Sequence, residues 1–371
     1  MNSLFELALK LSFVLYLIIP SENKIANAKL LSHMLYYKKD FHFLRDKNIM
    51  ENLMQRILKY TINQKDAGVT IERFLRENGY SHHIIVHLKK TADGIMLNNL
   101  RAYTNQNLQA GDSLIIHINE ESSSKNIEAV NIPLDIVYED ADIMVLNKPA
   151  DMPIHPSQGN HDNTLANGVA YYFANQDIPY TYRCINRLDR DTTGLLILAK
   201  HMLSAAILSQ MMKDRKIKRT YLALVEGISK VQGTINAPIG RKDGSTIERL
   251  IDEQNGETAV THYKLLESAN IPSSNRHIAE VNIAPSNSDD LTPVSLVEVH
   301  LETGRTHQIR IHMKSIGLPL VGDGLYNPNS SLLERQALHS YKLKFSHPLT
   351  NEPLEFTCQL PVDMNSLISH K

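Results

Sequence analysis

Residues 184–194, with the sequence CINRLDRDTTG, lead directly into the apolar run LLILA at residues 195–199. Charged side chains and a turn glycine directly before a buried strand are typical of a functional loop, because an unpaired Asp189 or Arg187 there would be costly. A simple turn that caps the strand explains the same residues. The phosphatase-type Asp-x-Asp-x-Thr motif is a third alternative, but it follows an apolar strand, whereas here Asn186 and Arg187 precede it.

Two later segments add to this loop. Residues 218–227, KRTYLALVEG, place Tyr221 at the mouth of a predicted strand, just after a basic run. Residues 301–312, LETGRTHQIRIH, open a predicted helix with polar and basic side chains. Three long segments in a fixed order are far more specific than any one of them.

Together these segments resemble the signature segments of the RluA/RluD family of RNA pseudouridine synthases. The resemblance extends from about residue 132 to residue 360 and includes LNKP at 146–149, HP at 155–156 and GDGLY at 322–326. It implies an α+β fold with a mostly antiparallel mixed sheet, and isomerisation of specific uridines in ribosomal RNA, that of the large subunit above all. Transfer RNA as substrate and a non-catalytic RNA-binding or ribosome assembly factor are the alternatives.

The resemblance also implies the catalytic residues. Asp189 matches the catalytic aspartate, which attacks ribose C1′ or removes the C2′ proton; the sequence leaves both routes open. Arg310 matches the basic partner that keeps this aspartate ionised and oriented, and Tyr221 matches the tyrosine that stacks on the uracil. A phosphate contact or solvated position for Arg310, and a core position for Tyr221, are the simpler alternatives. The reaction breaks the bond from uracil N1 to ribose C1′ and rejoins the base through C5 without redox change, so we expect no metal and no cofactor.

The target uridine has to leave its helix or loop before a carboxylate can reach C1′. Arg187 matches the family's intruding arginine, and Asn186 stands where the family usually has histidine. We expect contacts with RNA from the following residues: Asn186, Arg187, Arg190, Lys218, Arg305 and His307.

Charge is balanced globally and basic locally. The 371 residues carry 39 Lys and Arg against 40 Asp and Glu, for a net charge of −1. Residues 183–219, however, contain nine basic and three acidic side chains. Such a stripe beside the Asp189 loop suits phosphate contacts, although a solvated helix face would show the same excess.

A smaller domain is predicted at residues 56–120. Apolar residues at helical spacing predict a helix within 68–79, and Ser81 opens a second helix over 81–90. Strands near 95–98 and 113–118 follow, the last one entered through GDSLII at 111–116. This order resembles the small alpha-L RNA-binding domain; a generic α+β module is the alternative. The polar residues 121–130 are predicted to be a linker to a catalytic domain at 131–371.

Within 131–371 the patterns predict many strands and few helices, which favours a mostly antiparallel sheet. The predicted strands are 136–139, 143–147, 194–200, 221–226, 295–302, 338–345 and 354–359, and the predicted helices are 164–173, 201–213 and 306–315. A polar tract between Glu267 and Pro293 reads as a mobile insertion in a hairpin.

The first 55 residues contain no matched motif. Their uncharged stretch, residues 11–21, is shorter than the roughly 20 residues that a membrane-spanning helix needs. A signal peptide begins with a positively charged region, whereas here Glu6 precedes the single Lys10. We expect a poorly structured extension, with Met50 or Met54 as alternative natural starts. The two cysteines, Cys184 and Cys358, are far apart and without metal-ligand neighbours, so we expect a reducing compartment, the cytoplasm. We also expect no membrane partner, and a monomer.

Overall fold

A computed structural model describes residues 55–120, 122–272 and 291–369. All of them belong to one compact unit, Met54–Lys371. The expectation for residues 1–55 lies outside the described residues, apart from Gln55. None of the helices in the described ranges combines the length and the apolar character that crossing a membrane requires.

Residues 55–120 form a sheet of their own in the order β1-β4-β2-β3, with two helices beside it. The elements are β1 Gln55–Thr61, α1 Ile71–Glu77, α2 His82–Lys90, β2 Ile95–Leu97, β3 Leu100–Arg101 and β4 Ser113–Asn119. Thr70 and Ser81 cap the two helices by accepting from the backbone N–H three residues later. Both predicted helices and both predicted strands are confirmed, whereas β1 has no counterpart among the predicted elements.

The remaining residues form one large sheet in the order β5-β6-β7-β14-β8-β13-β12-β9, with β15 on β14. Its strands are β5 Ile136–Glu139, β6 Ile143–Lys148, β7 Thr193–Ala199, β8 Lys218–Glu226, β9 Gln232–Asn236, β12 Val260–Pro272, β13 Leu291–Leu301, β14 Leu338–Ser346 and β15 Pro353–Thr357. Only the contact of β7 with β14 is parallel among these pairs. The predicted mostly antiparallel α+β architecture is confirmed.

Four helices and a separate hairpin complete this part of the described chain. The helices are α3 Leu165–Ala174, α4 Met202–Lys213, α5 Gln308–Ser315 and α6 Val362–Ser369, and the hairpin pairs β10 Ile239–Arg241 with β11 Arg249–Ile251. Alternation along β8 sends Tyr221 and Ala223 to the face that packs with α3 and α5, and Leu222 to the face that packs with α6. Helices α3 and α5 therefore cover one face of the sheet, and α6 covers the other.

Some sequence predictions need correction. β8 begins at Lys218, so Tyr221 lies inside the strand and not at its mouth. The predicted hairpin around the polar tract is confirmed, but its strands continue as far as the pair Pro272 and Leu291, because backbone pairing overrides the weak side-chain pattern there. The mobile insertion expected between them falls on residues 273–290, outside the described residues.

The predicted linker contains no helix or strand in its described part, yet it is attached to the surface. Ser123 and Ser124 accept hydrogen bonds from the backbone N–H groups of Tyr180 and Tyr182, and Thr181 donates to the carbonyl of Ser122. A segment bound in this way does not act as a free tether.

The small sheet and its helices pack against helix α4 of the larger part. Leu203, on α4, is completely buried in the hydrophobic cluster built mainly from residues 62–118, and Ile207 packs against the same cluster. Arg56 reaches across to Asp142 with two hydrogen bonds, of 2.6 and 3.0 Å. The two parts therefore share a core. The sequence prediction of two separate domains does not anticipate this shared core.

Candidate active site

The loop around Asp189 is held at both ends by β7. On entry, the Ile185 N–H donates to the Ile197 carbonyl, and the Asn186 side chain accepts from the Ile197 N–H. On exit, Thr193 and Gly194 are already the first residues of β7. The loop from 187 to 192 therefore projects from one end of a central strand and has little freedom to move.

Gly194 is required at the exit of this loop. Its φ is +106°, and a Cβ there would lie 2.3 Å from the carbonyl oxygen of Ser340 on β14. No side chain fits such an approach. The absence of a side chain lets β7 and β14 pair at the point where the loop ends.

Asp189 and Arg310, which lie far apart in sequence, meet in this site. Arg310 donates from NH1 to Oδ2 of Asp189 at 3.2 Å. The Asp189 side chain is 27% exposed, whereas that of Arg310 is only 8% exposed. A carboxylate that solvent can reach is thus backed by a buried cation.

Arg310 is itself fixed by a second carboxylate. Its Nε and NH2 donate to the two oxygens of Asp323 at 2.7 and 2.6 Å, and the Asp323 side chain is fully buried. Burial lowers the pKa of Arg310, but the ion pairs with Asp323 and Asp189 outweigh this effect and raise the pKa above its ordinary value. Arg310 is therefore a permanent cation at this site.

His307 is a second neighbour of Asp189. It is the N-cap of α5 in the left-handed region, with φ 57°, and its Nε2 lies 3.9 Å from Oδ2 of Asp189. Its Nδ1 is 2.9 Å from the hydroxyl of Tyr326. Burial lowers the pKa of His307 below its ordinary value, although the nearby Asp189 acts in the opposite direction. A non-glycine residue in this backbone region is a strained position of the kind that collects at functional sites.

Tyr221 lies deeper than predicted. It is buried, and the register places Gly194, Ser340 and Tyr221 in one row across β7, β14 and β8. Two strand spacings make this row about 10 Å long. Tyr221 faces the side of the sheet that carries α5, together with Leu188 of the loop. The structure thus brings Tyr221 to the face of the sheet on which the Asp189 loop and α5 lie.

Four of the six predicted RNA-contact residues lie at the surface: Arg187, Arg190 and Lys218 are exposed, and Arg305 pairs with Glu257. His307 is largely buried, with 10% of its side chain exposed. Arg187 also donates to the Thr306 hydroxyl at 3.4 Å, so it connects the loop with the segment just before α5.

Asn186 does not belong to that surface, and its prediction as an RNA contact needs correction. It is 2% exposed, and its amide bonds the backbone of β7 at Ile197 and Leu195. Because the oxygen and the nitrogen of this amide both hydrogen-bond to the backbone of β7, Asn186 anchors the loop to the strand, and its side chain is not available to RNA.

Sequence reasoning gave no role to three residues of the site: Lys148, Asp323 and Tyr326. Lys148 is buried and donates from Nζ to the carbonyls of Pro149 and Arg190 at 2.6 and 2.7 Å. Burial lowers its pKa to about 7. All three lie in the segments LNKP and GDGLY, which belong to the family resemblance, and this membership is the sequence feature that could have indicated a role for them.

A cluster of Asp140, Asp142 and His347 has the spacing of metal ligands. The His347 Nδ1 accepts from the backbone N–H of Thr350, so its proton is on Nε2, the nitrogen that faces Asp140 at 3.0 Å. Asp142 is already paired with Arg56. A protonated nitrogen and an adjacent guanidinium do not suit a metal ion, and Asp142 is instead hydrogen-bonded by Arg56 and His201.

Comparison with known proteins places the chain in a family. The sequence pattern of the family described as RNA pseudouridylate synthase matches residues 142–315. An uncharacterised RNA pseudouridine synthase of Bacillus subtilis is 38% identical over 301 residues, which are 81% of this chain and 98% of that protein. The ribosomal large subunit pseudouridine synthase D of Zymomonas mobilis is 38% identical over 65% of this chain and 73% of its own length.

A solved structure shares the fold. The human RNA pseudouridylate synthase domain containing 1 has a TM-score of 0.50 and 28% identity, over 64% of this chain and 87% of that one. The resemblance seen in the three sequence segments is thereby confirmed, and the chain belongs to the family of RNA pseudouridine synthases, isomerases that convert uridine in RNA to pseudouridine.

Proposed function

We propose that this protein converts specific uridines of ribosomal RNA, in the large subunit, to pseudouridine, with Asp189 as its catalytic carboxylate. The observation that carries the proposal is the placement of Asp189, partly open to solvent, against the buried Arg310. Relatives named ribosomal large subunit pseudouridine synthase D, such as that of Haemophilus influenzae at 35% identity, support ribosomal RNA over transfer RNA.

In this proposal Asp189 acts on the ribose, either by bonding to C1′ or by removing the C2′ proton. Arg310 orients the carboxylate and offsets its charge. Tyr221 lies under the uracil, where an aromatic face stabilises a base that has left its stack. Arg187, exposed above the loop, takes the place of the uridine in the RNA.

We further propose that residues 56–120 are an alpha-L domain that holds RNA, and that residues 131–371 contain the whole active site. Cations on the exposed surface of the site, Arg187, Arg190, Lys218 and Arg305, provide the phosphate contacts. We assign the protein to the cytoplasm, where such an RNA substrate is made, and we propose that it acts as a monomer.

The proposed substrate is tested by mapping pseudouridine in total RNA from cells that lack the gene, and from the same cells carrying the wild-type gene or the Asp189→Asn variant. We expect a defined site in large-subunit RNA to be lost in the deletion strain and restored only by the wild type. If a site in transfer RNA is lost instead, transfer RNA is the substrate and the proposal of ribosomal RNA is wrong. Rescue of a growth or assembly defect by Asp189→Asn would favour the non-catalytic role.

Asp151 offers a test of the RNA contact at Arg190. Its exposed carboxylate lies 3.6 Å from the Arg190 guanidinium and its backbone has φ 52°. Asp151→Gly removes a competitor of phosphate for Arg190, so affinity for substrate RNA should rise about two- to fivefold at low salt, the scale of an exposed ion pair. Fluorescence anisotropy at several salt concentrations measures the effect.

The matched control is Asp177→Gly, since Asp177 is an exposed aspartate with a similar φ of 57° that follows α3. Both variants relieve the same backbone conformation and should change the free energy of unfolding alike. An equal change in RNA affinity in the two variants would contradict a role for Arg190 in binding.

A further inference from the structure

The two groups beside Asp189 converge on a single atom. Arg310 NH1 lies 3.2 Å and His307 Nε2 lies 3.9 Å from Oδ2. Within the described parts of the chain, the hydrogen bonds of this carboxylate involve Oδ2 and leave Oδ1 without a protein donor. The two oxygens of Asp189 are therefore not equivalent.

Asp323 determines the direction in which Arg310 points. Its Oδ1 accepts from the backbone N–H groups of Leu325 and Tyr326, both at 3.1 Å, as well as from Arg310 NH2. Its Oδ2 accepts from Nε of Arg310. Because this fork uses two of the three guanidinium nitrogens, only NH1 remains to reach Asp189.

Tyr326, three residues later, determines the state of His307. Its hydroxyl oxygen accepts from the backbone N–H of Arg249 at 2.9 Å, so its own proton is available to Nδ1 of His307. A histidine that accepts at Nδ1 carries its proton on Nε2. The N–H of His307 is then directed toward Asp189.

Tyr326 also packs against both partners. Its ring makes an edge contact with His307, at 5.6 Å between centroids, and the Arg310 guanidinium carbon lies 5.0 Å above its centre. The charged groups that influence His307 are Asp189, Asp323, Arg310 and Arg249. One short turn thus contacts both residues that flank the carboxylate.

We propose that Asp323 and Tyr326 are positioning residues, which hold Arg310 and His307 against Oδ2 of Asp189 and so leave Oδ1 as the oxygen that reacts with the ribose. The inference rests on the proposed function, because it takes Asp189 as the catalytic group. The 3.9 Å between His307 Nε2 and Oδ2 exceeds a hydrogen bond, and catalytic hydrogen bonds are often longer before the substrate is bound.

The experiment compares Tyr326→Phe and Asp323→Asn with the wild type on a short RNA that contains the target. We expect kcat to fall about 10- to 100-fold with KM for RNA changed less than threefold, since positioning of a catalytic group affects the chemical step. Asp142→Asn is the matched control: Asp142 is equally paired to an arginine and buried, but it precedes β6, at the end opposite Lys148. It should lower stability and leave kcat at saturating RNA unchanged.

A purely structural role would not move the pH profile. Without the Tyr326 hydroxyl, Nδ1 of His307 loses the donor that favours its neutral form, so its pKa should rise and the acid limb of kcat should shift to higher pH in Tyr326→Phe. The double variant Tyr326→Phe with His307→Gln should lose no more activity than His307→Gln alone, because Tyr326 acts through His307.

Several outcomes overturn the inference. Normal kcat in Tyr326→Phe and in a folded Asp323→Asn would do so, as would losses that simply multiply in the double variant. Should Asp323→Asn fail to fold, as a thermal melt would show, Tyr326→Phe still decides. An active Asp189→Asn variant would instead refute the proposed function itself, so the two failures are distinguishable.

Discussion

Replacing Asp189 with asparagine should reduce pseudouridine formation by at least about a thousandfold, the loss expected when a group acting directly on the reacting atoms is removed. Asparagine has nearly the same shape, so the loop and its attachment to β7 should persist. It lacks the negative charge needed to attack C1′ or to accept the C2′ proton. Affinity for RNA should stay within a few-fold of the wild type, because the exposed cations are unchanged. Single-turnover assays and filter binding measure the two quantities.

Asp191→Asn provides the control in the same loop. Asp191 lies two residues further on and pairs with Arg190, whose side chain is 57% exposed. The same change of charge there should leave turnover within about fivefold of the wild type, as for other ion pairs with a solvent-exposed arginine. Near-normal turnover in Asp189→Asn, or an equal loss in Asp191→Asn, would refute the assignment of Asp189.

Deleting residues 55–120 should leave a protein that does not fold stably. Leu203 and its neighbours on α4 would lose the cluster that covers them. Asp142, which is 4% exposed, would lose Arg56, and Arg183 would lose Glu120. Each fully buried apolar side chain that becomes exposed costs about 1.5–3 kcal/mol, so the uncovered face of α4 and the two lost ion pairs together take a large share of the stability of a typical domain, about 5–15 kcal/mol.

A milder variant tests the same shared core in the full chain. Leu203→Ala should lower the free energy of unfolding by about 2–5 kcal/mol, as for other fully buried leucines, in a single urea transition monitored by circular dichroism and by tyrosine fluorescence. Ile228→Ala, at a side chain that is 65% exposed, should change it by less than about 0.5 kcal/mol. A soluble truncated protein with a cooperative melt, or two separate transitions in the full chain, would show that the parts fold independently.

Local patterns predicted those elements whose stabilising interactions are themselves local. The helix at α2 follows from the cap Ser81 and the buried spacing of Ile84, Ile85 and Leu88. The strand at β7 follows from an unbroken apolar run, which its central position in the sheet requires. β1, which pairs with β4 across more than fifty residues of chain, has too weak a pattern of its own to be recognised.

The sequence by itself determined the family, the fold class and the pairing of Asp189 with Arg310 as candidate partners, because three ordered segments carry that information without coordinates. Only the tertiary structure decided that Asn186 supports β7 instead of meeting RNA, and that Asp323 and Tyr326 hold the residues around Asp189. It also showed that α4 belongs to the core of the preceding sheet. The physical reason is common to these cases: hydrogen bonds and packing between residues far apart in sequence depend on how the strands are ordered, and side-chain periodicity does not report that order.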